Sequence, residues 1–307
     1  MTHPSVPGEQ SAEGSLPVFF YSDGYRIASD LYLPPGHKPG QRHPAIVLCH
    51  GFGGLRRFWL PDFARFFAGS GYVVLAFDHR GLGESEGPRA SLNPFGQVAD
   101  IRHAITFLET REEVRPDRIG LYGISFGGGN AAYAAAVDPR VAAMACVVGY
   151  GDGERWLKSL QREWEWIDFR KRVIADRRNR VLTGEGEIVD TSEILVRDPH
   201  SLEHEREARA ANPNRVNHIT LETADAIMAF KPEEVVHLIA PRPCLFVGVE
   251  EDTLVPTEEI LSLHAKAGAP KQLHLFPAIG HHAIYYGEEL PKLLGMGRDF
   301  FESSLKP

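Results

Sequence analysis

One serine of the chain lies in a pattern that exposes and activates a serine hydroxyl. Residues 123–127 read Gly-Ile-Ser-Phe-Gly. An apolar run typical of a strand, Arg118–Tyr122, precedes them, and an Ala- and Gly-rich run typical of a helix, Gly127–Val137, follows. A serine on such a tight strand-to-helix turn has a strained backbone that lifts its hydroxyl clear, and the small glycines avoid clashes. The pattern therefore predicts Ser125 as a nucleophile.

The same pattern occurs a second time, at residues 83–87, around Ser85. No strand-like run enters this copy, no helix-like run leaves it, and Glu84 and Glu86 flank the serine. Their carboxylates would oppose an anionic intermediate, and the glycines are typical of a turn. We interpret Ser85 as part of an exposed turn without a catalytic role.

A serine hydroxyl needs a base to take its proton and an acid to orient that base. His281 comes just after the last strand-like run, and Asp252 comes after the strand-like run before it. Both would then lie at the carboxyl ends of strands, where open α/β sheets build their sites. The sequence predicts a catalytic triad of Ser125, His281 and Asp252.

Neighbouring residues leave two alternatives open for this triad. His282 follows His281 directly and could be the base in its place. Glu250 or Glu251 could replace Asp252 as the acid, although the spacing to the following Val-Pro pair favours Asp252.

Acyl transfer also needs two backbone N–H groups that stabilise the charge developing on the substrate oxygen. One comes from the residue after the nucleophile, Phe126. The loop after the first central strand, residues 50–54, reads His-Gly-Phe-Gly-Gly, and its glycines let the backbone approach a substrate. Phe52 is the predicted second donor.

The order and spacing of these motifs resemble those of the α/β hydrolases. The resemblance covers roughly residues 20–150 and 233–304. It rests on His50-Gly51-Phe52-Gly53, Asp78-His79-Arg80-Gly81 with Gly83 and Ser85, the turn around Ser125, Asp252 with Val255-Pro256, and Gly280-His281. It implies the α/β-hydrolase fold, a mostly parallel sheet with helices on both faces.

Two branches of that superfamily are the most similar, the dienelactone-hydrolase-like and the Xaa-Pro-dipeptidyl-peptidase-like enzymes. The sequence departs from both. True dienelactone hydrolases use a Cys nucleophile where this chain has Ser125, and the peptidases carry an additional C-terminal β-domain. The serine also excludes relatives that use Asp at this position, the haloalkane dehalogenases and epoxide hydrolases.

Strand-like runs alternate with amphipathic helical runs over residues 17–150 and 232–307, which predicts one α/β core. Residues 1–16, rich in Pro, Gly, Ser and Glu, are predicted to be a mobile tail. Between the two parts of the core, residues 151–231 carry no comparable strand-like run. We predict that they form an inserted helical cap over the active site.

Several side chains are candidates for contact with a substrate. Trp156, Trp164 and Trp166 lie near the start of the predicted cap, and Tyr285 follows the catalytic histidine. Each could line a substrate pocket or only anchor helices. A second set, Arg56 and Arg57, follows the loop of residues 50–54, which we call the oxyanion loop. These arginines could bind a substrate carboxylate or simply be solvated.

Charge and cysteine content limit the partners. The formal charge of −8, from 33 basic and 41 acidic residues, argues against a nucleic acid or an anionic membrane as partner. Cys49, Cys146 and Cys244 each lie in an apolar run, which predicts buried reduced thiols in a cytoplasmic protein. No motif indicates a cofactor or a metal site. The expected partner is a small-molecule substrate, and a homodimer is left open.

Three functions are compatible with these residues. The leading hypothesis is a serine hydrolase that cleaves a carboxylic ester, thioester or lactone through an acyl-enzyme. The second is hydrolysis of an amide or C–C bond with the same triad. The third is a non-catalytic binding protein on the same fold, which a degenerate site would reveal.

Overall fold

The computed structural model describes residues 14–212 and 214–306. Most of the predicted tail, residues 1–13, lies outside this described part, and the first strand already begins at Leu16. Within the described residues the chain forms ten strands: β1 (Leu16–Ser22), β2 (Tyr25–Tyr32), β3 (His43–Cys49), β4 (Val73–Phe77), β5 (Val114–Ile124), β6 (Val141–Val147), β7 (Ile188–Asp190), β8 (His218–Thr220), β9 (Cys244–Val249) and β10 (Lys271–Phe276).

Eight of these strands form one sheet in the order β1-β2-β4-β3-β5-β6-β9-β10. Strands β1 and β2 form an antiparallel hairpin, and β2 is also antiparallel to β4. Every other neighbour in the sheet is parallel. The prediction of a mostly parallel α/β sheet is therefore confirmed.

Helices cover both faces of this sheet. In the described residues they are α1 (Leu60–Gly69), α2 (Pro94–Glu109), α3 (Phe126–Val137), α4 (Gly153–Ser159), α5 (Glu163–Thr183), α6 (Thr191–Ile194), α7 (Pro199–Ala211), α8 (Glu222–Ala229), α9 (Pro232–Val235), α10 (Thr257–Lys266) and α11 (Glu289–Leu305). Two 3₁₀ turns complete them, Val236–Ile239 and Ala283–Tyr285.

The core is divided into two layers by the sheet, because successive side chains of a strand point to opposite faces. In β3, Val47 and Cys49 join the layer beneath α2, α3 and α10, whereas Ile46 and Leu48 join the layer beneath α1 and α11. All four side chains are fully buried. Strands buried on both faces explain why the sequence shows continuous apolar runs.

The junction between β5 and α3 requires two glycines. Ser125, between them, has φ 53° and ψ −122°, outside the regions favoured by L-residues. A Cβ at Gly123 would lie 2.2 Å from the Gly127 carbonyl oxygen, and a Cβ at Gly127 would lie 2.3 Å and 2.4 Å from the carbonyl oxygens of Cys49 and His50. Only glycine fits at either position without moving the backbone.

The predicted cap segment, residues 151–231, lies between β6 and β9 and contains α4 to α8. It also contains β7 and β8, which pair antiparallel over three residues each, so the prediction of helices alone is incomplete. Strands this short carry no alternating pattern that a sequence could reveal. Its separation from the core as a unit stays a prediction.

Two further findings concern the cysteines and the length of the helices. Cys49, Cys146 and Cys244 are free and buried, and burial raises the pKa of each thiol. Across residues 14–212 and 214–306, every helix falls short of the length and apolar character needed to cross a bilayer.

We expect Gly127→Ala to lower the free energy of unfolding by about 1–3 kcal/mol or more, because the new methyl group would overlap backbone oxygens. Urea denaturation followed by circular dichroism measures this loss. The matched control is Gly295→Ala in α11, where a Cβ meets nothing within 4 Å. This control should raise stability by about 0.5–1 kcal/mol, since alanine favours helix. Equal stability of the two variants would contradict the account of the junction.

Candidate active site

Three side chains that are far apart in sequence form a chain of hydrogen bonds at the carboxyl edge of the sheet. The Ser125 hydroxyl donates to His281 Nε2 over 3.0 Å, and His281 Nδ1 donates to Asp252 Oδ2 over 2.7 Å. The other carboxylate oxygen of Asp252 accepts from the backbone N–H groups of Leu254 and Val255 at 3.0 Å and 2.7 Å. The structure thus brings the predicted triad together in the geometry of a nucleophile, a base and an orienting acid.

The alternative acids, Glu250 and Glu251, are not part of this chain of hydrogen bonds. Glu250 and Glu251 are exposed, whereas Asp252 is 8% exposed and holds His281 directly. Asp252 is also the one of the three whose carboxylate receives two backbone N–H groups of its own loop. Its orientation is therefore held by the loop as well as by the histidine.

The alternative base, His282, makes different contacts. Its ring stacks on that of His204 from α7, with centroids 4.2 Å apart and planes 29° apart. Burial and the neighbouring His281 lower the pKa of His282 to about 2, so its imidazole stays neutral. Its Nδ1 has no hydrogen-bond partner among the described residues. The contact with Ser125 belongs to His281.

The two predicted oxyanion donors lie beside the nucleophile. Phe126 is the first residue of α3, so its N–H is one of those that have no acceptor within the helix. The loop that carries Phe52 abuts the nucleophile, since a Cβ at Gly51 would lie 3.3 Å from Ser125 Cβ. The rings of Phe52 and Phe126 pack edge to face, with centroids 5.5 Å apart.

An arginine of the inserted segment holds this loop. Arg215 donates from Nη1 to the Gly53 carbonyl over 3.1 Å and from Nη2 to the Phe52 carbonyl over 3.4 Å. Its Nη2 also donates to Glu205 of α7 over 2.8 Å, and both side chains are less than a tenth exposed. The insertion therefore contacts the oxyanion loop directly. Sequence reasoning missed Arg215.

A cavity opens over Ser125. The core contributes His281, His282, Tyr285 and Trp59 to its lining. The inserted segment contributes Leu195, Arg197, His204, Glu205, Ala208 and Arg215. In the described part of the chain, no cluster of three or more His, Cys, Asp or Glu side chains is arranged to hold a metal ion.

Among the predicted substrate-binding residues, Tyr285 lies in the cavity wall. Its ring stands edge-on to that of His281, and its buried hydroxyl has no partner among the described residues. The ring also stacks on Trp59 at 5.8 Å, and Trp59 stacks on His204 at 5.0 Å. Sequence reasoning missed Trp59, whose signal was a large aromatic side chain between the oxyanion loop and α1.

The tryptophans of the insertion are not among the residues that line the cavity over Ser125, so the tentative role in substrate binding finds no support in its lining. Trp156 is fully buried and donates from Nε1 to the Leu254 carbonyl over 2.8 Å, so it anchors α4 to the loop of the acid. Trp166 packs on Phe169 of the same helix. Trp164 is 61% exposed and points to solvent.

Arg56 and Arg57, for which the sequence left carboxylate binding or simple solvation open, also lie elsewhere. The Arg56 side chain is 2% exposed and forms ion pairs with Asp30, Asp78 and Glu84. Arg57 shares Asp30 and Glu84 with it. Both guanidinium groups are engaged in ion pairs within the fold, and neither lines the cavity over Ser125.

Ser85, the serine of the second motif, is fully buried, so the prediction of an exposed turn is wrong. Its hydroxyl donates to the Asp78 carbonyl over 2.6 Å and accepts from the Ala28 N–H over 2.9 Å. The loop packs against β2, and the serine satisfies two buried backbone groups there.

Comparison with known proteins agrees with this architecture. A 31.7 kDa protein from the traX-finO intergenic region of Escherichia coli is 31% identical over 280 residues, 91% of this chain and 96% of that protein. Thiohydrolase aneE of Aspergillus aculeatus is 28% identical over 286 residues, 88% of this chain and 86% of that enzyme. The crystal structure of the α/β hydrolase GrgF from Penicillium sp. sh18 superposes with a TM-score of 0.79 at 26% identity, covering 95% of this chain and 99% of that one.

The family itself is recognised over most of the chain. Residues 44–288 match the family described as the alpha/beta hydrolase fold. This range includes β3 from its second residue, the loop of residues 50–54, the turn at Ser125, and the loops of Asp252 and His281. The chain belongs to the α/β-hydrolase family and is an enzyme of the hydrolase type.

Proposed function

We propose that this enzyme hydrolyses carboxylic esters and thioesters through an acyl-enzyme on Ser125. The single observation that carries the proposal is the chain of hydrogen bonds from Ser125 through His281 to Asp252, which opens on a cavity. Each member has its partner in reach before any substrate binds. A binding protein that had lost catalysis would have no need of this geometry.

In this mechanism Ser125 Oγ attacks the substrate carbonyl carbon while His281 Nε2 takes the hydroxyl proton. Asp252 stabilises the resulting imidazolium. The backbone N–H groups of Phe126 and Phe52 donate hydrogen bonds to the oxyanion of the tetrahedral intermediate. When the C–O or C–S bond breaks, His281 returns the proton to the leaving alcohol or thiol. Water, activated by the same imidazole, then hydrolyses the acyl-enzyme and releases the acid.

The choice of ester and thioester over amide and C–C bonds is supported by the relatives. Two of them are named thiohydrolases, one from Aspergillus aculeatus and one from Eupenicillium brefeldianum, which is 27% identical over 310 residues. Esters and thioesters also have better leaving groups than amides, so their cleavage depends least on proton donation by His281. A panel of substrates with one acyl group and different leaving groups tests this choice.

We expect Ser125→Ala to lower kcat on 4-nitrophenyl butyrate and on an S-butyryl thioester by roughly four to six orders of magnitude, because the attacking atom is gone. Stopped-flow and steady-state assays measure this loss. The fold should persist, since the Ser125 hydroxyl bonds within the described residues only to His281.

The matched control is Ser85→Ala, in the second copy of the motif. This variant leaves two buried backbone groups without their partner and should cost about 1–3 kcal/mol of stability. Its kcat should stay near that of the parent at temperatures where it is folded. A Ser125→Ala enzyme that keeps its activity, or an active parent that cleaves only an amide, would overturn the proposal.

We expect His281→Ala to reduce kcat nearly as much as Ser125→Ala, because the triad acts as one unit. His282→Ala removes a neutral ring that stacks on His204, and we expect a loss of kcat within about tenfold. The same two substrates measure both variants. The reverse order of losses would assign the base to His282 and leave the rest of the mechanism intact.

A further inference from the structure

A cluster of charged side chains in the insertion, of which Arg197, Arg215 and Glu205 line the cavity, carries more positive than negative charge. Arg209 is matched by Asp190, to which it donates over 3.0 Å and 3.1 Å. Arg215 is matched by Glu205 at 2.8 Å. Arg197 is the third guanidinium of this group, and its nearest carboxylate is the same Glu205, already engaged by the other two. Three cations thus share two carboxylates.

Arg197 is also short of hydrogen bonds. Its side chain is 3% exposed. Nη1 donates to the Leu195 carbonyl over 3.1 Å, but Nη2 lies 3.7 Å from Glu205, beyond hydrogen-bond distance. The adjacent carboxylate of Asp198 is used by Ser201 and Thr253. Among the described residues, Nε and Nη2 of Arg197 therefore have no hydrogen-bond acceptor, and its one ion pair is the 3.7 Å contact with Glu205. Burying a cation is costly unless it is both paired and hydrogen-bonded.

Arg197 lies at the cavity over the nucleophile. Arg197 and Ser125 line the same cavity. Among the described residues, the charged side chains of its lining are two guanidinium groups, Arg197 and Arg215, and one carboxylate, Glu205. A ligand in the cavity therefore meets more positive than negative charge, with the guanidinium of Arg197 among the groups it can contact.

We propose that Arg197 binds a carboxylate of the substrate, so that the preferred substrates are esters or thioesters that carry an acidic group besides the scissile carbonyl. A carboxylate would give Nε and Nη2 the two acceptors they lack, in the parallel geometry that guanidinium groups favour. The acid can belong to the acyl part or to the leaving group. This inference rests on the proposed function for the bond that is cleaved.

Two pairs of substrates test whether the acidic group belongs to the acyl part or to the leaving group. On the acyl side, the 4-nitrophenyl monoester of suberic acid is compared with the same ester of suberic acid monoamide. On the leaving-group side, 4-carboxyphenyl butyrate is compared with 4-carbamoylphenyl butyrate. Within each pair the two substrates differ in one carboxylate or carboxamide group, and in the second pair the acidity of the leaving phenol changes with it. We expect the parent enzyme to favour the carboxylate of one pair by about tenfold to a hundredfold in kcat/KM.

Variants then assign this preference to a side chain. Arg197→Met should bring the carboxylate-to-amide ratio close to one, and Arg197→Lys, which keeps the charge without the planar fork, should give an intermediate ratio. Arg170→Met is the matched control, because Arg170 is half exposed on α5 and lies outside the cavity wall. It removes the same charge from the insertion and should leave the ratio unchanged. Thermal melts verify that each variant is folded.

A binding measurement separates failure of this inference from failure of the proposed function. Calorimetric titration of suberate into Ser125→Ala needs no turnover, and adding Arg197→Met should weaken binding by more than about tenfold. Ratios near one for both pairs in the parent, or a ratio that survives Arg197→Met, would overturn the role of Arg197. Neutral esters that are not cleaved in a Ser125-dependent way would overturn the proposed function instead, and the titration would still decide the carboxylate site.

Discussion

The backbone of Ser125, with a φ of 53°, is the constraint on which the rest of the site depends. Such a conformation costs of order 1–3 kcal/mol and persists only where the surroundings impose it. Here the close passage of Gly123 and Gly127 past neighbouring backbone imposes it. The resulting turn raises the hydroxyl above the sheet edge. His281 and Asp252 meet it there because they follow β10 and β9, parallel neighbours whose carboxyl ends share that edge.

The parts of this arrangement that could be predicted from sequence are those with a local signal. The turn at Ser125 has its glycines two residues away on either side, and the apolar runs before Asp252 and His281 mark the strands that carry them. Order along the chain then places all three at one edge. Phe52 follows by the same logic, since its loop comes directly after a central strand. These residues can be identified without knowing how distant segments of the chain pack.

The parts that escaped prediction depend on such packing. Arg197, His204 and Arg215 reach the cavity only because α7 and its flanking loops fold over the core, and nothing in their spacing distinguishes them from solvated charges. The tryptophans show the opposite error, because their size suggested contact with a substrate. Trp156 instead anchors the insertion, and Trp164 faces solvent. Ser85 shows the same limit, because a motif can match letter by letter while its side chain serves only two buried backbone groups.

Arg215 spans 162 and 163 residues of sequence to reach the Gly53 and Phe52 carbonyls. The segment that shapes the cavity and the loop that would hold the oxyanion therefore share one side chain. A transplant of this insertion onto another hydrolase core would carry the loop's support with it, and a core stripped of the insertion would lose that support. Under the proposed mechanism, specificity and transition-state stabilisation in this scaffold would be coupled traits, and a redesign of one would have to preserve the guanidinium that serves the other.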